Sequence, residues 1–493
     1  MMTEEEKNEL LFNRQFIITS SELNGFNEWN TTNIGNLFVY SHPNLEVAIS
    51  SIYGKSVVLI GFIFDSKNPT FGNQQIVDIL VENETFEAVL ENSAKYAGRF
   101  LIIYCDDRNF KLFHDAAGQR EVFYLKKGSL WLASQPSLLS EYVELQKCVE
   151  GAEFYNSEKF QLRKERILDT TQYFGVKHLS VNHYLDLHRG ESTRYYPGKK
   201  VTKLPLEEAV KLSSKYIKGF LEAASYRYKL MIAVTGGWDS RMMLAASMHI
   251  PDSHHYFIFK HKHLKDTDQD IKTPKKLLEI LGVDYYVIEY DAELEDDVKA
   301  LMTKNVELSN PVLYPAFYNE FFKKYKDRLN VTCVSEAARN YFHYQANQNN
   351  VSGAILARLN KFEEFDFVKD QYQKWIDNNA VSFKNNGYNI LDMFYWEEKM
   401  GNWFANGRSA MGSAIEDFSP FNCRELMTIF LSVDEKYRDR YNPVLHRKII
   451  EKLSIDVLAV PVNGSLKYIL IKWLVIFRIY PIYKKIQLLL KAN

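Results

Sequence analysis

The sequence predicts an α/β protein in two parts: a β-rich antiparallel N-terminal half, then a parallel, helix-covered sheet with a helical end. Strand-like runs separated by turn residues fill residues 34 to 140, among them "VVLIGFIFD", "GRFLIIYCDD", "FKLFHDAAG" and "EVFYLKKGSLWLAS". From residue 205 the apolar period becomes helical, and strands and helices then alternate to about residue 334. At 493 residues the chain is too long for a single core, so two or three domains are expected.

The start, "MMTEEEKNEL", is acidic and polar and lacks the basic flank and apolar stretch of a signal peptide, so a cytoplasmic location is expected. One helix, around "TFEAVLENSAKYAG", interrupts the strands, and "HLSVNHYLDLHRGESTRYYPG" reads as a further β unit turning at "HRGE". Pro205 suits the first turn of the helix "PLEEAVKLSSKYIKGFLEAAS". Then come "KLMIAVT" as strand, "DSRMMLAAS" as helix, "HHYFIFK" as strand, "IKTPKKLLEILG" as helix, "DYYVIEY" as strand, two helical runs and the strand "LNVTCVS". Such alternation argues for a parallel sheet whose ligands lie at the carboxyl ends of its strands. After about residue 350 the pattern is almost wholly helical.

The charges nearly cancel, 61 basic against 62 acidic, leaving no electrostatic footprint for nucleic acid. Cys105, Cys148, Cys333 and Cys423 lie far apart and suggest reduced thiols, not a disulfide framework or a zinc site. The histidines of "HHYFIFKHKH" (His254, His255, His261, His263) read as solvated or hydrogen-bonded groups, with metal binding the minor alternative. The acidic run "EYDAELEDD" reads as a solvated helix start, and "DMFYWEEKMGNWFANG" as helix core or, alternatively, a pocket wall. The last 29 residues carry six basic residues and no acid, and Pro481 breaks their apolar run. A helical pair packed on the protein is favoured there over contact with a membrane surface.

The stretch "AVTGGWDSRMMLAAS" carries the chemistry. "TGGWDS" falls between a strand and a helix, where backbone N–H groups and the helix dipole attract a phosphate. Gly236 and Gly237 allow close approach, Thr235 and Ser240 add hydroxyls, and Asp239 is suited to hold Mg²⁺ against phosphate oxygens. A plain tight βα turn is the alternative. The P-loop ending and GxGxxG are both absent.

"TGGWDS" resembles the SGGxDS signature of the PP-loop ATP pyrophosphatases, and "TGGWDSR" is similar to that of asparagine synthetase-like proteins. "GRFLIIY", "LFHDAAGQREVFY" and "LWLASQPSLL" resemble the glutaminase domain of class B asparagine synthetases, "NHYLDLHRGESTRYYP" the segment that follows, and "GRSAMGSAIEDFSPFNCRELM" the late helical stretch. The resemblance, over about residues 34 to 465, implies an Ntn-type sandwich ahead of a PP-loop synthetase domain. It divides the chain into an extension (1–33), a degenerate glutaminase-like domain (34–150), a connecting β segment (151–204), the PP-loop domain (205–465) and a basic apolar tail (466–493). It also implies ATP and Mg²⁺ as cofactors, with a small-molecule carboxylate activated as an acyl-adenylate and then attacked by ammonia or an amine. Thr235, Gly236, Gly237, Asp239 and Ser240 match the motif position by position, with Val234 and Ile258 as candidates for the adenine wall.

Three departures qualify the likeness. The family's glutaminase uses an N-terminal cysteine, whereas this chain begins Met1-Met2-Thr3, has Cys105 as its first cysteine and lacks an NGE-type motif around "LIGFIFD". Glutamine hydrolysis is therefore expected to be lost, with ammonia coming from solution or from a separate supplying protein. The family's GEGxDE loop is replaced by the shorter "SEAARNYF", in which Glu336 is either a catalytic residue, as proton acceptor or magnesium-side acid, or a helix-start residue, and Arg339 pairs either with a phosphate or with Glu336. The family's late lysine is missing from "DVLAVPVNGSLKY", leaving Arg241 or Lys467 to supply the charge. These losses keep a second expectation open, a non-catalytic nucleotide-binding or scaffold relative.

Overall fold

The computed structural model describes residues 2–25, 28–250, 254–261, 264–290, 293–333 and 338–462, with 470, 473, 474 and 477. Helix α1 (Glu4–Leu10), capped by Thr3, leads to β1 (Phe16–Thr19), β2 (Asn30–Ile34), β3 (Leu37–Ser41), β4 (Val47–Ile52) and β5 (Lys55–Phe64). Two helices follow, α2 (Asn73–Val81) and α3 (Phe86–Ser93). Then come β6 (Ala97–Cys105), β7 (Phe110–His114), β8 (Phe123–Lys127) and β9 (Ser129–Ala133), and later β10 (Lys177–His178), β11 (His183–Asp186) and β12 (Glu191–Arg194).

These strands form two six-stranded antiparallel sheets, ordered β10-β8-β9-β1-β3-β2 and β12-β11-β7-β6-β5-β4. Side-chain alternation shows how they stack. Val58 and Ile60 of β5 share a core with Phe16, Ile18, Val39 and Leu112, while Val57 and Leu59 turn to Ile76, Leu80 and Phe86 of α2 and α3. The period of two thus places one face of the second sheet against the first and the other under helices.

Three expectations change here. Residues 16–34, read as lying ahead of the sheets, supply β1 and β2, and β1 is a central strand between β9 and β3. The segment 151–204 does not merely connect, since β10 joins the first sheet and β11 and β12 the second. The interrupting helix is a pair, α2 and α3. The "HRGE" turn is present, with Asp186 opposite Glu191 and Gly190 in the left-handed region.

The second part opens with α4 (Leu206–Arg227), followed by β13 (Lys229–Ala233), α5 (Trp238–Ser247), β14 (His254–His261), α6 (Gln269–Leu281), β15 (Tyr285–Tyr290), α7 (Asp296–Asn305) and β16 (Arg328–Val331). The helical end contains α8 (Asp366–Asn385), a helix that runs from Ile390 to Gly412 through a π-helical middle, α9 (Arg424–Ser432) and α10 (Val444–Leu453). A short strand within it, β17 (Glu416–Phe418), was not foreseen. The sheet runs β15-β14-β13-β16-β17 with every pairing parallel. Met231, Phe257 and Ile288 pack with Val298 and Met302 of α7 on one face. Leu230, Ile232, Leu329 and Val331 pack with Met242, Met243 and the helical end on the other, as a parallel sheet requires.

The acidic run does begin a helix, with Glu295 as N-cap and Asp296 and Asp297 in the first turn, while residues 291 and 292 lie outside the described residues. Met393, Phe394, Trp396 and Met400 of the aromatic run are core, and Trp403 is half exposed. No helix among the described residues is long and apolar enough to cross a membrane. Most of the tail, Lys467 included, lies outside the described residues.

Among the contacts that bind the parts together are two at Gly219 and Glu416. A Cβ on Gly219 of α4 would sit 2.1 Å from the Ser66 carbonyl oxygen, so the helix backbone lies directly on the chain leaving β5. Glu416 of β17 meets Arg14 at 3.6 Å, Arg99 at 3.1 Å and Arg120 at 3.4 Å, all of them buried or nearly so. Burial raises the Glu416 carboxyl, but the three guanidiniums outweigh it and hold the group below its ordinary range.

Candidate functional site

Strand β13 is the first of the parallel sheet, with β14 on one side and β16 on the other. The chain order therefore reverses between β13 and β16, which opens a crevice at the carboxyl ends of these strands, where ligands of open α/β sheets bind. The "TGGWDS" loop follows β13, and the segment containing Arg339 follows β16, so the two flank this switch point.

Val234 continues the strand by donating its N–H to the Phe257 carbonyl at 2.8 Å. The loop then closes on itself. The Thr235 N–H donates to Ser240 Oγ at 3.1 Å, the two hydroxyls lie 2.8 Å apart, and the Gly237 N–H donates to Thr235 Oγ1 at 3.2 Å. Gly237 is the N-cap of α5 and brings no side chain to cap it. The positive end of the helix thus faces the crevice with Asp239 in its first turn.

Asp239 is where the two flanks meet. Its Oδ2 accepts from Arg339 Nη2 at 2.9 Å, with both side chains largely buried. His446 of α10 brings Nε2 to 3.8 Å from Asp239 Oδ1. Burial, together with Arg339 and Arg438, pushes the imidazole far below its ordinary pKa. It is therefore a neutral neighbour of Asp239 and not a second cation.

A polar cluster behind Arg339 fixes its segment. His343 Nε2 lies 2.8 Å from Asp392 Oδ1 and its Nδ1 3.5 Å from Glu435 Oε2, Arg438 Nη2 donates to Asp392 Oδ2 at 2.9 Å, and Asn340 donates to the Glu435 carbonyl at 2.8 Å. Burial pulls the His343 pKa down, but Asp392 and Glu435 prevail and raise it to about 9. His343, Asp392 and Glu435 also form the metal-like grouping found among the described residues. A protonated imidazole bridging two carboxylates, with Arg438 on one of them, makes an ion-pair cluster whose charges balance.

The other candidates fall as follows. Arg241, expected to supply charge at the loop, is fully buried and donates to the carbonyls of Val457, Val460 and Pro461. It ties α5 to the chain after α10 and is unavailable to a phosphate. Val234 lies just past β13, but Ile258 sits within β14, not at its end, and each is 1 % exposed, so neither offers surface for an adenine wall. Glu336 and His263 lie outside the described residues, while His254 meets Tyr256 edge-on and His255 packs at a tilt against Tyr286. Sequence reading missed His343, Asp392, Arg438 and His446, single polar residues in helical text with no spacing signal. Compared with known proteins, the chain matches no family model and no curated protein.

Proposed function

We propose that the crevice binds Mg-ATP and that the chain is an ATP-dependent carbon–nitrogen ligase forming an amide through an acyl-adenylate. On this reading the parallel sheet is a PP-loop synthetase domain and the sandwich an Ntn-type, glutaminase-like domain without glutamine hydrolysis. The observation that carries the proposal is the meeting of Asp239, in the first turn of a helix without a side-chain cap, with Arg339 at the switch point.

A substrate carboxylate oxygen attacks the α-phosphorus; the acyl–oxygen–phosphorus bond forms, the α–β bridge breaks and pyrophosphate leaves. Ammonia or an amine then attacks the acyl carbon, the C–N bond forms, AMP departs and the nitrogen loses a proton. The N–H groups of α5 and the Thr235 and Ser240 hydroxyls take the departing pyrophosphate, and Arg339 transfers from Asp239 to a phosphate oxygen. Asp239 would hold Mg²⁺ there, which would supply charge stabilisation to the leaving group.

The second reading, a non-catalytic nucleotide-binding or scaffold protein, draws on the same 2.9 Å pair and the self-paired loop hydroxyls, which satisfy the site without ligand. Pyrophosphate release from Mg-ATP separates the two, measured with a panel of carboxylates including aspartate, with and without ammonium. Carboxylate-dependent release that falls on the order of 100-fold or more in Asp239→Ala is expected. No release across the panel, with no ATP binding, would favour the scaffold.

A further inference from the structure

Where the sandwich meets the helical end, a cavity of about 720 Å³ opens, and none of its lining comes from residues 235–240, Arg339 or His446. Its size is that of a small-molecule site. Leu90, Val201, Leu204 and Ile429 give it apolar walls, and Tyr195 and Tyr196 add ring faces. Arg424 also lines it, at the first turn of α9, and is only 6 % exposed.

The guanidinium of Arg424 is poorly matched by the protein. Its Nε donates to the neutral Asn182 Oδ1 at 3.3 Å, its plane lies 5.0 Å from the Tyr195 ring centroid, and its Nη2 is buried without a hydrogen-bond partner. The Tyr195 hydroxyl is likewise buried and unpartnered. Arginine keeps its proton at any physiological pH, and a buried charge without a counter-ion is strongly unfavourable. The buried Arg99 and Arg120, also between the sandwich and the second part, have Glu416 as a carboxylate partner. A missing anion is the simplest complement to Arg424.

The surroundings restrict that anion. The rim carries Glu87, Glu91 and Glu425 against Lys199 and Lys200, and Lys199 is already paired with Glu91. Multiply charged ligands such as nucleotides or phosphate would meet these acids, whereas one carboxylate on an apolar body matches one guanidinium and aromatic walls. We propose that this cavity is a second ligand site, distinct from the crevice, which binds a small aromatic or aliphatic monocarboxylate with its carboxylate on Arg424.

Binding of 3-phenylpropionate, indole-3-acetate and octanoate to the full chain, each beside its own neutral amide, tests this by ligand-observed NMR and calorimetry. At least one acid is expected to bind, its amide at least tenfold more weakly, and inorganic phosphate is expected not to compete. Arg424→Met, checked for folding by circular dichroism, should weaken the acid at least tenfold. Arg339→Met, which removes the crevice cation, should leave it unchanged, so failure of the ligase reading does not touch this site. Equal binding of acid and amide in the unmodified chain overturns the proposal, as does no binding by any acid, or binding that survives Arg424→Met but not Arg339→Met.

Discussion

At the scale of single residues, helix phase explains what was and was not legible in the loop. Asp239 and Arg241 are neighbours but one in sequence, and on a helix residues two apart face different ways. Asp239 therefore meets the crevice while Arg241 runs to the carbonyls of Val457, Val460 and Pro461. The motif identified Asp239, but its partner Arg339 lies 100 residues on and could be named only as a separate candidate. His343 gives a pH prediction. Its folded pKa, about 9, stands above the ordinary 6.5, so its contribution is fully present below pH 6.5 and is lost as pH rises through 9. The loss is at most about 3 kcal/mol. The urea midpoint should fall across that window in the native chain and stay nearly flat in His343→Gln; an identical fall in both would assign the effect elsewhere.

Among elements, the readable ones carry their own periodicity. β13, α5, β14, α6 and β15 appear where apolar period and turn residues placed them. β1 and β17 do not announce themselves, since four and three residues hold no pattern and become strands by pairing with distant partners. Close packing of elements is equally silent in sequence, and Gly219 is the test. Alanine raises helix propensity by about 1 kcal/mol over glycine, yet here its Cβ would enter the Ser66 carbonyl. Gly219→Ala should lose about 2 kcal/mol of stability in urea unfolding. Gly407→Ala, in a helix where a Cβ meets nothing within 4 Å, should be neutral or gain up to about 1 kcal/mol. Equal effects at the two positions would deny that α4 lies tightly on the sandwich.

For the whole molecule, the two-part plan was legible, but the fastening between the parts was not, because Glu416 and its arginines come from opposite ends of the text. Glu416→Gln leaves three guanidiniums with a weakened acceptor, and a loss of about 3–5 kcal/mol is expected. Calorimetry should then show the unfolding of the chain lowered in temperature or split into separate transitions; an unchanged trace would mean that the other contacts between the parts, such as Asn422 with Asp115 and Arg194 with Glu397, hold them without Glu416. The same socket sets a timetable for synthesis. Arg120 precedes Glu416 by 296 residues, a gap of roughly 15–60 s at ordinary ribosomal speeds. Throughout that interval the emerging sandwich holds a cluster of like charges around a place its carboxylate has not yet reached, so the first half of this protein waits for the second before it is finished.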